Sequence, residues 1–160
     1  MNRIFLIALF LLILPNFVYC QNEIDLCSKI ETRKDKFNGS EISIPPMSGG
    51  IAFMRVKRGN DIAYYINITN IGKTVSVDAK GAKILFSDGS KFEKNEKVDV
   101  RVNDKAEYEY NSLIKLSAEE LDLFLNKDIS DTRLYIYDNS LSKDQSYLVK
   151  TYFKCMINMN

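Results

Sequence analysis

Ile62-Ala63-Tyr64-Tyr65-Ile66-Asn67-Ile68-Thr69 decides the fold class of this chain. Ile62, Tyr64, Ile66 and Ile68 fall on one side of an extended backbone, and Ala63, Tyr65, Asn67 and Thr69 on the other. A period of two, carried by β-branched and aromatic residues, predicts a strand. Upstream, residues 51–57 form a second strand, joined through an Arg58-Gly59-Asn60-Asp61 turn. Downstream, short strands are expected at 74–77, 82–87, 90–93, 98–103 and 107–115. Asp88-Gly89 separates two of them, and glycine accepts the positive φ that a tight hairpin demands. Residues 132–137 read as a late strand, and 41–44 as an early one that stops at Pro45-Pro46, because proline cannot donate to a ladder.

The period changes near the C-terminus. Ser117 with Glu120 matches a capping box ahead of Leu121, Phe124 and Leu125, which predicts a short helix over 117–126. Ser142 with Gln145 repeats the box. Leu148, Val149, Tyr152, Phe153 and Met156 then form a helical stripe, although Tyr147, Val149, Phe153, Cys155 and Ile157 also suit period two. The helical reading over 142–157 is favoured. The expected fold is therefore α+β, an antiparallel β-sandwich-like domain of about seven or eight strands with a short helix and a C-terminal helix. Residues 21–40 are polar and read as an irregular arm.

The first 20 residues have another role. Arg3 precedes an apolar run over 4–14, and Pro15-Asn16 breaks it. A charged head, a short apolar centre and a polar tail form the layout of a secretory signal. The run is shorter than the roughly 20 residues of a spanning helix. Cleavage after Cys20 makes Gln21 the first mature residue and 21–160 a single exported domain, periplasmic or secreted. Two other readings stay open: lipidation at Cys20, which would attach the domain to a membrane, and an uncleaved anchor. Tyr19 fits poorly before a lipidated cysteine.

Removing the signal changes the chemistry. Cys27 and Cys155 remain, and an exported chain with two cysteines suggests one disulfide. The full chain carries 22 Lys+Arg and 21 Asp+Glu. Loss of Arg3 equalises them, so no basic field draws the domain to nucleic acid. The chain holds no histidine, which excludes Ser-His and Cys-His nucleophilic systems.

Carboxylates remain. Glu107 and Glu109 share a strand face, and Glu119 and Glu120 open a helix. Both pairs read more simply as a wet face and as helix capping. Asp138, Ser140, Ser142 and Asp144 begin like a calcium loop, but Lys143 and Val149 stand where such a loop needs glycine and glutamate. No phosphate loop or dinucleotide fingerprint is present, so no cofactor, metal site or catalytic residue is assigned. The glycosylation sequons at Asn38 and Asn67 read as chance.

Tyrosine is the remaining resource, since it supplies large contact area at low entropy cost. Tyr135 and Tyr137 on one strand, with Tyr65 nearby, form the candidate recognition surface. The expected function is a non-catalytic exported binding or accessory protein, with an unidentified protein or glycan as partner. A carboxylate-dependent glycan hydrolase and a secreted protease inhibitor presenting the Pro45-Pro46 loop are the alternatives.

Three segments carry a resemblance: Asp35-Lys36-Phe37-Asn38-Gly39, Lys80-Gly81-Ala82-Lys83-Ile84-Leu85-Phe86-Ser87-Asp88-Gly89-Ser90 and Asp131-Thr132-Arg133-Leu134-Tyr135-Ile136-Tyr137-Asp138. They resemble small exported β-rich proteins of Bacteroidota. The resemblance implies compartment and fold, and transfers no functional residue.

Overall fold

Alternation along the central strand places Ile66 and Ile68 in the core, both fully buried. The computed structural model of the protein describes residues 26–76 and 78–159. The expected signal, Cys20 and the cleavage point before Gln21 lie outside them.

The elements in chain order are β1 (Glu31–Lys34), β2 (Glu41–Ile44), β3 (Ile51–Arg58), β4 (Asp61–Gly72), β5 (Lys80–Phe86), β6 (Lys91–Lys97), β7 (Asp99–Val102), β8 (Tyr108–Lys115), α1 (Ala118–Asn126), β9 (Ile129–Leu134), β10 (Tyr137–Ser140) and α2 (Lys143–Ile157). One sheet has the order β1-β2-β3-β4-β8-β7, the other β10-β9-β5-β6. Every pairing is antiparallel. The α+β, sandwich-like fold expected from the sequence is the fold observed.

The smaller sheet lies against β4 and β8, while α2 covers β3 and packs on α1. Phenylalanines fill the space between the layers. The Phe53 ring stacks on Phe153 with centroids 4.1 Å apart. Phe124 of α1 meets Phe86 and Phe92 edge-on at 5.6 and 5.3 Å. Each fully buried ring contributes about 1.5–3 kcal/mol relative to exposure.

Both helices begin where the capping boxes placed them. Ser117 Oγ accepts from the Glu120 amide, and Glu120 Oε2 accepts from the Ser117 amide at 2.8 Å. Ser142 and Gln145 reproduce the arrangement, with the Ser142 amide 2.8 Å from Gln145 Oε1. The Asp88-Gly89 turn also forms. Gly89 has φ +82°, and Asp88 Oδ1 accepts the Ser90 amide.

Three local expectations are corrected. Residues 132–137 are not one strand, because Tyr135 and Ile136 form a tight turn between β9 and β10, with Tyr135 at φ +57°. No strand forms at 74–76, where Thr74 is captured by tyrosine hydroxyls (Val77 lies outside the described residues). The expected irregular arm contains a strand, since β1 pairs along β2 from Glu31↔Ile44 to Lys34↔Glu41. Cys27 and Cys155 form a disulfide, with Cα atoms 5.4 Å apart, which ties the chain before β1 to α2. Such a bond fits an oxidising compartment. Among the described residues no helix is long and apolar enough to cross a membrane.

Candidate functional site

The tyrosines separate into two groups. Tyr110 of β8 is fully buried, with Tyr137 of β10 at 4.8 Å and Tyr135 at 6.3 Å between ring centroids. The Tyr110 hydroxyl donates to the Thr74 carbonyl at 2.6 Å. Thr74 donates its amide to the Tyr137 hydroxyl at 3.1 Å, and its side-chain hydroxyl shares a 2.7 Å bond with the same oxygen. Burial pushes the Tyr110 phenol up, whereas the Thr74 side chain holds the Tyr137 phenol down. A Cβ at Gly72 would collide with both rings, so glycine lets them close over the β4 backbone. Tyr110 and Tyr137 thus form a seam between the two sheets. Tyr135 stands in the β9–β10 turn at this seam rather than beside Tyr137 on one strand face.

Tyr65 is elsewhere. It alternates with buried Ile66 and Ile68, and so faces outward from the six-stranded sheet. The structure therefore brings Tyr135 and Tyr137 to one seam and leaves Tyr65 on the opposite face.

The acidic candidates have structural partners. Glu109 pairs with Arg101 of β7. Glu107 Oε2 accepts from Asn103 Nδ2 at 3.1 Å. Glu120 accepts from Lys94 at 2.6 Å, and Glu119 sits exposed in the first turn of α1. Burial raises the Glu120 carboxyl, but Lys94 and Ser117 outweigh it and the net displacement is downward. A general acid at neutral pH requires the reverse. Asp138 forks with Arg133, Ser140 donates to Asp131 and Ser142 caps α2, so the calcium-like run is divided between a hairpin and a helix. Among the described residues no three metal-ligating acidic or cysteine side chains converge. Pro45 is buried and Pro46 exposed, in the wall of a concavity of about 550 Å³ with Ile42, Ile44 and Arg33.

The outer faces of the two sheets differ in chemistry. Across the smaller sheet the register sets Glu93, Lys83, Arg133 and Asp138 in one row, and Lys91, Leu85, Asp131 and Ser140 in the next. Lys83 meets Glu93 at 3.2 Å, and Arg133 forks onto Asp138. The Arg133 hydrogen bond holds the Asp138 carboxyl below its usual range. These side chains line a shallow concavity of about 470 Å³, a wet face of mixed charge. Among its lining residues none is aromatic.

The larger sheet breaks this rule. Three of its outward rows read Ile42-Val56-Ala63, then Met54-Tyr65-Lys115, then Ala52-Asn67-Leu113, while the next two, Thr69-Asn111-Asp99 and Ile71-Glu109-Arg101, are mostly polar. A solvated antiparallel face carries polar residues at such positions. Leu113 is 52 % exposed, and Ile44 beside the first row is 42 % exposed. Tyr65 is the one residue of the tyrosine surface expected from sequence that lies here. The other members were legible as apolar residues at outward parity, and Ala52 and Met54 make 51–54 apolar on both faces.

Neither a protein-family model, nor a curated protein, nor a solved structure matches this chain.

Proposed function

We propose that this chain is a non-catalytic exported binding module that docks a partner protein on the outer face of its six-stranded sheet. One observation carries the reading: at the β2–β3 end, the outward side of the six-stranded sheet carries Ile42, Ile44, Met54, Val56, Ala63, Tyr65 and Leu113, where a solvated sheet is polar. Leu113 and Ile44 are exposed and Met54, Val56 and Tyr65 half-buried, and apolar surface left in water in this way marks interaction sites. Tyr65, Met54 and Leu113 are the residue types that fill an interface core, and Lys115 stands beside them as a polar neighbour. A concavity lies at its Ile42 and Ile44 edge, and a row of side chains spread across four strands suits a protein surface better than a small molecule. The charged face of the smaller sheet stays in water. The disulfide supports an exported role, and the absence of histidine from the sequence speaks against Ser-His and Cys-His catalysis.

The test uses the partner recovered with the exported wild-type protein. Leu113→Glu and Tyr65→Ala should each weaken that complex at least about tenfold, the scale of a lost anchor residue. Lys83→Glu, on the charged face, should leave it unchanged. Equal losses from all three, or none from the first two, would remove the proposal.

A further inference from the structure

The two sheets end in the edge strands β1, β7, β6 and β10. An edge presents unpaired backbone groups, and folded proteins blunt it against unwanted pairing. Three of these edges are blunted. β1 is charged or polar throughout and fully exposed. β6 is mostly lysine and glutamate, and its register with β5 shifts between Lys80 and Ala82. On β10 the Tyr137 carbonyl is already held by Asn70 of β4.

β7 differs. Asn103, just beyond it, donates its amide to the Glu107 carbonyl at 2.9 Å. Antiparallel bonding alternates, so Arg101 and Asp99 also turn their backbone groups toward β8. Val100 and Val102 turn theirs to the open side. Their side chains lie on the inner side of the sheet, where Val100 is half-buried and Val102 is 62 % exposed. Asp99 and Arg101 stand on the outer face, opposite in charge and 80 % and 70 % exposed. Arg101 uses Nε and one terminal nitrogen on Glu109, which leaves its other terminal nitrogen free. Asp99 meets Lys97 through Oδ1 at 3.2 Å and keeps Oδ2 free.

This pattern is complementary to itself. When Val100 lies opposite the partner's Val100 across a two-fold axis, Asp99 falls opposite the partner's Arg101, and Arg101 opposite the partner's Asp99. The outer row then alternates in sign from Glu109 through Arg101 to the partner's Asp99. The Val100 amide and carbonyl bond their symmetry mates, and the Val102 amide reaches the partner's Val98 carbonyl. The Val98 amide itself is occupied by the Ala79 carbonyl. A register centred on Arg101 would instead set like charges face to face, which repels. We infer that β7 pairs antiparallel with β7 of a second copy of this chain, Val100 against Val100, and joins two six-stranded sheets into one. The contact lies at the edge away from β2 and β3, so it is independent of the docking face. A strand of 4 residues makes it small and reversible.

Sedimentation equilibrium of the exported protein reads this contact. Wild type should show a monomer–dimer equilibrium with a Kd of about 10–100 µM. Asp99→Lys sets like charges opposite each other and should weaken the dimer at least about tenfold. Arg101→Glu/Glu109→Arg keeps the β7–β8 ion pair with its signs reversed and should weaken the dimer equally. Mixed in equal amounts, the two variants place each altered charge opposite its complement. The mixed dimer should recover to within about threefold of wild type, which damage to either chain alone could not produce. Leu113→Glu should leave the wild-type Kd unchanged, so this edge and the docking face fail or survive separately. Wild type that stays monomeric at about 1 mM would overturn the inference. So would a dimer that neither charge variant weakens, or variants whose mixture fails to recover.

Discussion

Asn70 of β4 donates from Nδ2 to the main-chain oxygen of Tyr137 on β10 at 2.8 Å, and so links the two sheets through a buried side chain. Thr132 of β9 adds a second link, donating to Asn70 Oδ1 at 3.3 Å. Removing Asn70 strands a carbonyl and a hydroxyl in the core at once. Asn70→Ala should lower unfolding free energy by about 2 kcal/mol, within the range for a buried unsatisfied group. Urea unfolding should show the midpoint falling at unchanged slope. An unchanged midpoint would mean that water replaces the amide at no cost.

The Cys27–Cys155 bond closes a loop of 128 residues. Constraint of so long a loop in the unfolded chain contributes about 4–5 kcal/mol in the entropy picture, before native strain is subtracted. The double variant Cys27→Ala/Cys155→Ala should lose most of that, as should the reduced wild type. Loss from the double variant without loss on reduction would show that the disulfide does not form in the folded protein.

Glu120 sets an acid dependence. In the folded protein its carboxyl is held below its ordinary value of 4.5, because Lys94 and Ser117 outweigh burial. A depressed folded pKa means that the unfolded chain takes up the proton first. The stabilisation is therefore present above the ordinary value and disappears as pH falls through the folded one. Glu120→Gln keeps a capping-box side chain but loses the ion pair with Lys94. Its unfolding midpoint should lie below wild type at about pH 6 and converge with it by about pH 3. Parallel curves across that range would contradict the assignment.

Much of the fold was legible because local and tertiary demands agree. Ile66 and Ile68 alternate and are buried, Ser117 and Ser142 cap the helices, and Gly89 turns its hairpin. The β9–β10 turn was not legible, because Tyr135 lacks the composition of a tight turn. Its left-handed backbone is tolerated where its ring lies parallel to Tyr110. At Thr74 a β-branched residue suggested a strand, but the hydroxyls of Tyr110 and Tyr137 claimed its backbone groups instead. Strand β1, Glu-Thr-Arg-Lys, has no alternation to detect because all four residues are exposed at a sheet edge. The candidate docking face was half legible. Parity places Val56, Tyr65 and Leu113 on outward positions, but only the layer packing shows that α2 and the smaller sheet cover the opposite side.

Site-specific photocrosslinking in the exported, full-length protein tests the docking face most directly. A photoreactive phenylalanine would replace Leu113 in one variant and Lys83 in another, one on each outer face. The expected result is a discrete protein adduct from position 113, lost when Tyr65→Ala is added, and none from position 83. Adducts from position 83 alone, or of equal yield from both positions, would contradict the assignment of the apolar sheet face as the partner surface.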